Sequence, residues 1–250
     1  MKSNLTCAAI AESLRLIGLQ PGDAVGVHSS LSSLGQVEGG PDTVIDALLD
    51  VIGAEGTLIF PTYSNNRELL DLTPEERALG LAMKIRALPY DAAAAGCWTG
   101  AIPKAFLRRP GRVRGCDPLH SLAAIGRHQE HFATKRWEAL WALDGVILLI
   151  GVGLGSCSAM HLVERLFVTL PDRILARLKL PPELVDRYRD LTLVFEPYPE
   201  FSKMEAPCRA AGIMREGRVG AASVKLIRLR ALLDAYARAL QEDPDSFYGT

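Results

Sequence analysis

The chain of 250 residues and 27.1 kDa is long enough for one large α/β domain or two small ones. Its 48% hydrophobic and 23% charged residues exclude a disordered or collagen-like chain. With 28 basic against 29 acidic residues the net charge is −1, so no global field recruits nucleic acid or an anionic membrane. No apolar run reaches the ~18 residues of a membrane span. Glu12 and Arg15 interrupt the first stretch, where a signal peptide needs unbroken apolar character, so a cytoplasmic location is expected. Cys7, Cys97, Cys116, Cys157 and Cys208 are odd in number and form no CxxC pair. That pattern predicts reduced thiols rather than a disulfide framework or zinc ribbon.

In chain order, residues 6–18 place Ala8, Ile10, Ala11, Leu14 and Ile17 at helical spacing, with Gly18 as a stop. A turn at 20–23 precedes a buried strand, 24–28. Residues 41–53 predict a helix with Pro41 in its first turn and Gly53 as cap. Residues 57–61 predict a strand stopped by Pro61. Strand, turn, helix, strand in about 40 residues is a βαβ unit, which implies parallel pairing. Residues 64–90 look polar and irregular, with a short helix at 74–86, and suit a functional flap. Beyond them come a helix at 100–109, strands at 121–126 and 145–151, and a helix at 159–167. The tail predicts a strand at 191–197 and a long amphipathic helix at 221–240. The whole reads as one α/β domain over 1–250.

Three places can carry chemistry. In VHSSLSSLGQVEGG (27–40) a strand runs into four serines within five residues, then small-residue turns and a helix. Hydroxyls and free N–H groups beside a helix start suit a phosphate, although the segment is neither a Walker loop nor GxGxxG, and a plain connecting loop fits it too. In GVGLGSCSAMHLVE (151–164) a buried strand meets glycines and then a helix. His161 and Glu164 stand three apart, hence on one helix face, where a carboxylate can fix the imidazole tautomer of a general base. Ser158, one turn earlier, can offer a hydroxyl to an oxyanion. A surface His–Glu pair fits the same spacing. In RGCDPLHSLAAIG (114–126), Asp117-Pro118 is a turn before a strand edged by His120 and Ser121. His128 and His131 lack further ligands, so no metal site is assigned.

In this order the segments 22–64, 99–126, 144–164 and 217–244 resemble the aminoglycoside 3-N-acetyltransferase family, which is distinct from the common GNAT acetyltransferases. The resemblance implies an αβα sandwich with a largely parallel central sheet. It implies acetyl-CoA, or another acyl-CoA, as co-substrate for acyl transfer to a small-molecule amine. By the same resemblance His28, Ser29, Ser30, Ser32, Leu34 and Gly35 would hold CoA phosphate and pantetheine, and Thr62, Tyr63, Ser64 and Ser121 would line the groove. His161 would be the general base, Glu164 its partner and Ser158 the hydroxyl that steadies the tetrahedral intermediate, in place of the family's threonine. Asp117, counted with the catalytic residues, falls where the family has a histidine, Cys97 where it has a serine facing CoA, and the 131–144 stretch is short. The segment 165–250 carries 14 lysines and arginines against 12 acidic residues, so it advertises no acidic cleft for a polycation, unless Glu196, Glu200 and Glu205 assemble one. A non-aminoglycoside acceptor, a carrier-bound donor, a degenerate binding protein and a nicotinamide enzyme built on GVGLG therefore stay open. The expected state is a monomer or homodimer.

Overall fold

The computed structural model describes residues 4–94, 96–167, 172, 174, 176, 182–196 and 198–248. Strands β1 (Ala24–Ser29), β2 (Thr57–Pro61) and β7 (Val146–Ile150) form a parallel centre, β1 pairing with β2 on one side and β7 on the other. β6 (Leu122–Gly126) and the two-residue β5 (Val113–Arg114) extend it antiparallel beyond β2. β10 (Ala222–Arg228) and β9 (Met214–Val219) do the same beyond β7. Among the described residues the order is therefore β5-β6-β2-β1-β7-β10-β9.

Alternation along the central strands builds two cores. Val25, Val27, Leu58, Phe60 and Leu148 face the helices Cys7–Ile17, Pro41–Ile52 and Ala101–Phe106. Ile59, Ile147 and Leu149 face the other layer, which includes the helices Arg136–Ala142, Leu162–Leu166 and Leu229–Glu242. Strands buried on both faces read as unbroken apolar runs, which is why these three are visible in the sequence. The result is the expected αβα sandwich, with a mixed sheet whose middle is parallel.

Elsewhere local patterns mislead. The predicted helix 221–240 is a strand to Arg228 and a helix only from Leu229. Alternating burial of Ala222, Val224 and Leu226 lets this stretch pair with β7, where Leu226 lies opposite Leu148. The predicted helix 74–86 ends at Ala78, because Gly80 adopts φ +85° and turns the chain into β4 (Leu81–Ala87). β4 pairs antiparallel with β3 (Arg67–Leu70) and β8 (Leu191–Phe195) in a second, small sheet. Residues 64–90 are thus largely ordered by pairing. Pro197, the end of the predicted last strand, lies outside the described residues. The helix expected at 159–167 is a 3₁₀ turn, Ser158–His161, followed by the α-helix Leu162–Leu166. No described helix is long and apolar enough to cross a membrane.

Candidate active site

The chain leaves β1 toward β2 on one side and reaches β7 on the other, so the strand order diverges at β1. Ligands of α/β sheets collect at the carboxyl ends of strands beside such a divergence. A cavity of about 340 Å³ opens there, lined by His28 and Ser29 after β1, Pro61 and Tyr63 after β2, and Val152, Gly155 and Ser156 after β7.

His28 is buried, its ring stacked on Trp137 with centroids 5.5 Å apart, and its Nε2 has no hydrogen-bond partner. Burial pulls its pKa from the usual 6.5 to about 4, so the ring is neutral near pH 7. The unfolded chain takes a proton at this residue between pH 6.5 and about 4, whereas the folded chain does not. Stability contributed by neutral His28 is therefore complete above pH 6.5 and lost as pH falls toward 4, in total about 3 kcal/mol. Urea titrations at pH 7 and pH 5 should show a smaller loss for His28→Gln than for the parent chain; equal losses would refute this linkage.

The rest of the serine loop is knit to the frame. Ser30 and Ser32 hydroxyls bond each other at 3.1 Å, and Ser33 Oγ donates to Ser30 O at 2.6 Å. Leu34 sits in the core, and Gly35 turns the chain with φ +86°. Of the loop residues assigned to CoA by sequence, His28 and Ser29 line the cavity, whereas Ser30, Ser32, Leu34 and Gly35 do not. Ser29 Oγ is buried without a partner.

Beyond β7, His161 Nδ1 lies 3.1 Å from Glu164 Oε2. The carboxylate accepts the Nδ1 proton, which leaves the Nε2 lone pair as the basic site. The hydroxyl of Tyr198 donates to that nitrogen, and burial pushes the phenol up to about 12, so it keeps its proton. The other Glu164 oxygen accepts from buried Tyr236 at 3.3 Å. Ser158 Oγ meets Tyr63 Oη at 2.6 Å and accepts from Trp137 Nε1 at 3.1 Å. The expected trio His161, Glu164 and Ser158 is thus assembled in one place.

A second cavity, about 400 Å³, reaches the same point from the small sheet. Met83, Ile85, Thr192 and Val194 form its wall, and it shares Tyr63, Trp98, Ser158, His161 and Tyr198 with the first. Its charged lining is Arg67, Arg136, Arg165 and Glu138. Arg165 pairs with Glu138 at 4.0 Å and Arg136 with Asp117 at 2.9 Å, while Arg67 lies over the Trp98 ring without an ion pair among the described residues. Glu196, Glu200 and Glu205 line neither cavity; Glu200 pairs with Lys203 and Glu205 with Lys225.

Asp117 is a turn anchor. Besides Arg136 it accepts the N–H groups of Leu119 and His120, and hydrogen bonding, chiefly with His120, holds its carboxyl far below the usual range. A carboxylate so satisfied is a poor proton acceptor, and it lines neither cavity, whereas His120 lines the second. Thr62, Ser64 and Ser121 also stay out of both cavities. Thr62 and Ser121 are cross-bonded between β2 and β6, and Ser64 caps Asn66 N. Tyr63 does line both. The GVGLG turn carries its own anion, because Glu205 Oε1 accepts Leu154 N–H at 2.9 Å, and a Cβ on Gly153 would come within 2.4 Å of that oxygen. A dinucleotide pyrophosphate would meet this carboxylate, which opposes the nicotinamide reading. Among the described residues no cluster of three or more His, Cys, Asp or Glu is placed to hold a metal. Trp98, Trp137, Tyr198 and Phe201 escape sequence reasoning, since nothing in their local spacing signals a shared cavity.

Residues 27–241 match the family model for aminoglycoside 3-N-acetyltransferase. Aminoglycoside N(3)-acetyltransferase VII of Streptomyces paromomycinus is 32% identical over 92% of this chain and 89% of its own. Among solved structures, aminoglycoside acetyltransferase AAC(3)-Xa superimposes with a TM-score of 0.76 at 27% identity, covering 96% of this chain and 94% of that one. AAC-IIIb, solved as a binary complex with CoASH, gives 0.75 at 23% identity over 99% of both chains and shares the fold. Fold and comparisons agree on an acyltransferase class. The chain belongs to the aminoglycoside 3-N-acetyltransferase family.

Proposed function

We propose that this chain is a CoA-dependent N-acyltransferase that moves an acetyl group from the thioester to a primary amine of a small molecule. The observation that carries the reading is the His161–Glu164 pair at the junction of two cavities. The thioester arm enters beside His28 and Ser29, and the amine enters from the small sheet. As the amine nitrogen attacks the thioester carbonyl, its proton passes to His161 Nε2, taking the place of the hydrogen bond from Tyr198. Glu164 stabilises the imidazolium that forms. The oxyanion is met by the Tyr63–Ser158 hydroxyl pair, which Trp137 orients. Collapse breaks the C–S bond and CoA leaves as thiolate, taking its proton from the imidazolium.

AAC-IIIb binding CoASH supports the donor. The names of the relatives support an aminoglycoside as acceptor. A second acceptor reading, a neutral or acidic amine, is favoured by the three arginines and single carboxylate of the second cavity, which suit a polycation badly. An acceptor panel with acetyl-CoA separates the two. A kcat/KM of about 10⁴–10⁸ M⁻¹s⁻¹ with aminoglycosides supports the first, and turnover confined to neutral or acidic amines supports the second. For the donor, Ser29→Trp should fill the first cavity and weaken acetyl-CoA binding at least tenfold by calorimetry while the melting temperature holds. Undiminished affinity would remove the thioester from this cavity.

A further inference from the structure

The Glu164 carboxylate has few cations to hold it. Its side chain is 19% exposed, and among the described residues its only ion-pair partner is His161. Arg165, the next residue, is turned to Glu138 at 4.0 Å. Among the described residues, then, no lysine or arginine balances a carboxylate that must stay ionised to steady an imidazolium.

Phenols from the last two helices stand there instead. Tyr236, on the helix Leu229–Glu242, donates to Oε1 at 3.3 Å, while Oε2 faces His161 Nδ1. Tyr248, on the helix Pro244–Tyr248, is buried, and its hydroxyl has no hydrogen-bond partner. Burial first, and next the charge of Glu164, push both phenols up, so both keep their protons and remain donors. The rings fix where these hydroxyls stand. Tyr236 meets Phe201 edge-on at 5.5 Å and Phe247 at 5.1 Å, and Phe201 meets the His161 ring at 4.7 Å. One aromatic cluster thus carries both the imidazole and the donor to its partner. From the remaining side Tyr198 faces the pair, its hydroxyl on His161 Nε2.

We propose that Tyr236 and Tyr248 are positioning residues that hold the Glu164 carboxylate ionised and aimed at His161, and so set the pH below which the base is lost. This rests on the reading of His161 as the base. A hydrogen bond donated to an anion favours the anion. Without it the carboxylate draws harder on the proton it shares with the imidazole, and the pair takes up its next proton at higher pH. A phenol that served packing alone would change stability and leave that midpoint in place.

NMR titration of the His161 ring signals needs neither CoA nor an acceptor. The signals are assigned by their loss in His161→Gln, then followed in the parent chain, Tyr236→Phe, Tyr248→Phe and Tyr188→Phe. Phenylalanine keeps the ring packing, and Tyr248→Phe gives up no hydrogen bond, so the fold is kept. Tyr188 is the control, a buried phenol whose hydroxyl serves Glu76 at 2.6 Å. The midpoint should rise by about half a pH unit in Tyr236→Phe, and by less in Tyr248→Phe. It should not move in Tyr188→Phe. On a Glu164→Gln background Tyr236→Phe should also move nothing, because the group it acts through is gone. The acid limb of kcat/KM, measured with the best acceptor of the panel, should follow the midpoint upward. A midpoint that stays or falls in Tyr236→Phe or Tyr248→Phe overturns the proposal. So does an equal rise in Tyr188→Phe, or a rise that persists with Glu164→Gln. Midpoints that move as stated in a chain that acylates no amine would instead bring down the acyltransferase reading and leave the role of the two phenols standing.

Discussion

Replacing His161 by alanine is expected to lower kcat by about 10²–10⁴-fold, the usual worth of a general base, with little change in CoA affinity. Nδ1 is committed to Glu164 at 3.1 Å, so Nε2, which accepts from the Tyr198 hydroxyl, carries the lone pair that can take a proton, and the ring stands where the two cavities meet. The affinity should survive because His28 and Ser29, on the opposite side of the first cavity, lie outside the substitution. Glu164→Gln should cost less than His161→Ala. An amide whose oxygen accepts the Nδ1 proton can still orient the ring, at the expense of the acceptor that Tyr236 now has, but a neutral group cannot stabilise the imidazolium. Steady-state rates with the true acceptor decide the matter. Near-normal turnover of His161→Ala would move the base to another residue, with His120, in the second cavity, the next to test.

The second large effect is expected at Trp137, and it should appear in stability and rate together. The indole stacks on His28, donates to Ser158, and occupies the space left by Gly26, where a Cβ would come within 2.7 Å of Trp137 Cζ3. Trp137→Ala should destabilise the fold by about 3–5 kcal/mol, the range for removing a buried aromatic. Trp137→Phe should recover most of that stability while leaving Ser158 without its N–H donor. Its kcat should then stay below that of the parent, by about 10-fold for one lost hydrogen bond. Denaturant titration and turnover on both variants check this. A Phe variant with full activity would show that the indole N–H plays no part in steadying Ser158.

The central strands and the His161–Glu164 pair were legible in the sequence for a physical reason. Val25, Leu58 and Ile147 lie in strands covered on both faces, so they produce apolar runs that need no knowledge of neighbours. His161 and Glu164 are three apart, within reach of one helical turn. The margins of the molecule obey different rules. β9 reads MREGRV, and as an edge strand it buries only its two end residues, so its charges hide the pairing with β10. β3 and β4 are held by each other and by β8, more than 100 residues further on. Tyr198 approaches His161 across 37 positions and Trp137 approaches Ser158 across 21, separations for which local periodicity carries no signal. Asp117 misled in the opposite way. It falls where the family has a histidine, which drew it into the site, while Arg136, 19 positions on, and the N–H groups of Leu119 and His120 satisfy its carboxylate.

The pairing of β1 with β7 sets the order in which the molecule can come into being. Val25 lies opposite Val146, so about 120 residues must be synthesised before the first strand gains its second neighbour. Leu148 then waits for Leu226. Contacts this distant require closing long loops before burial rewards them, which slows folding. The wall around His28 consequently stays open on a nascent chain until Tyr198 and Phe201, which line the same cavity, have been synthesised. Early termination therefore leaves no half-working enzyme, only a segment with exposed apolar strand edges for chaperones to cover.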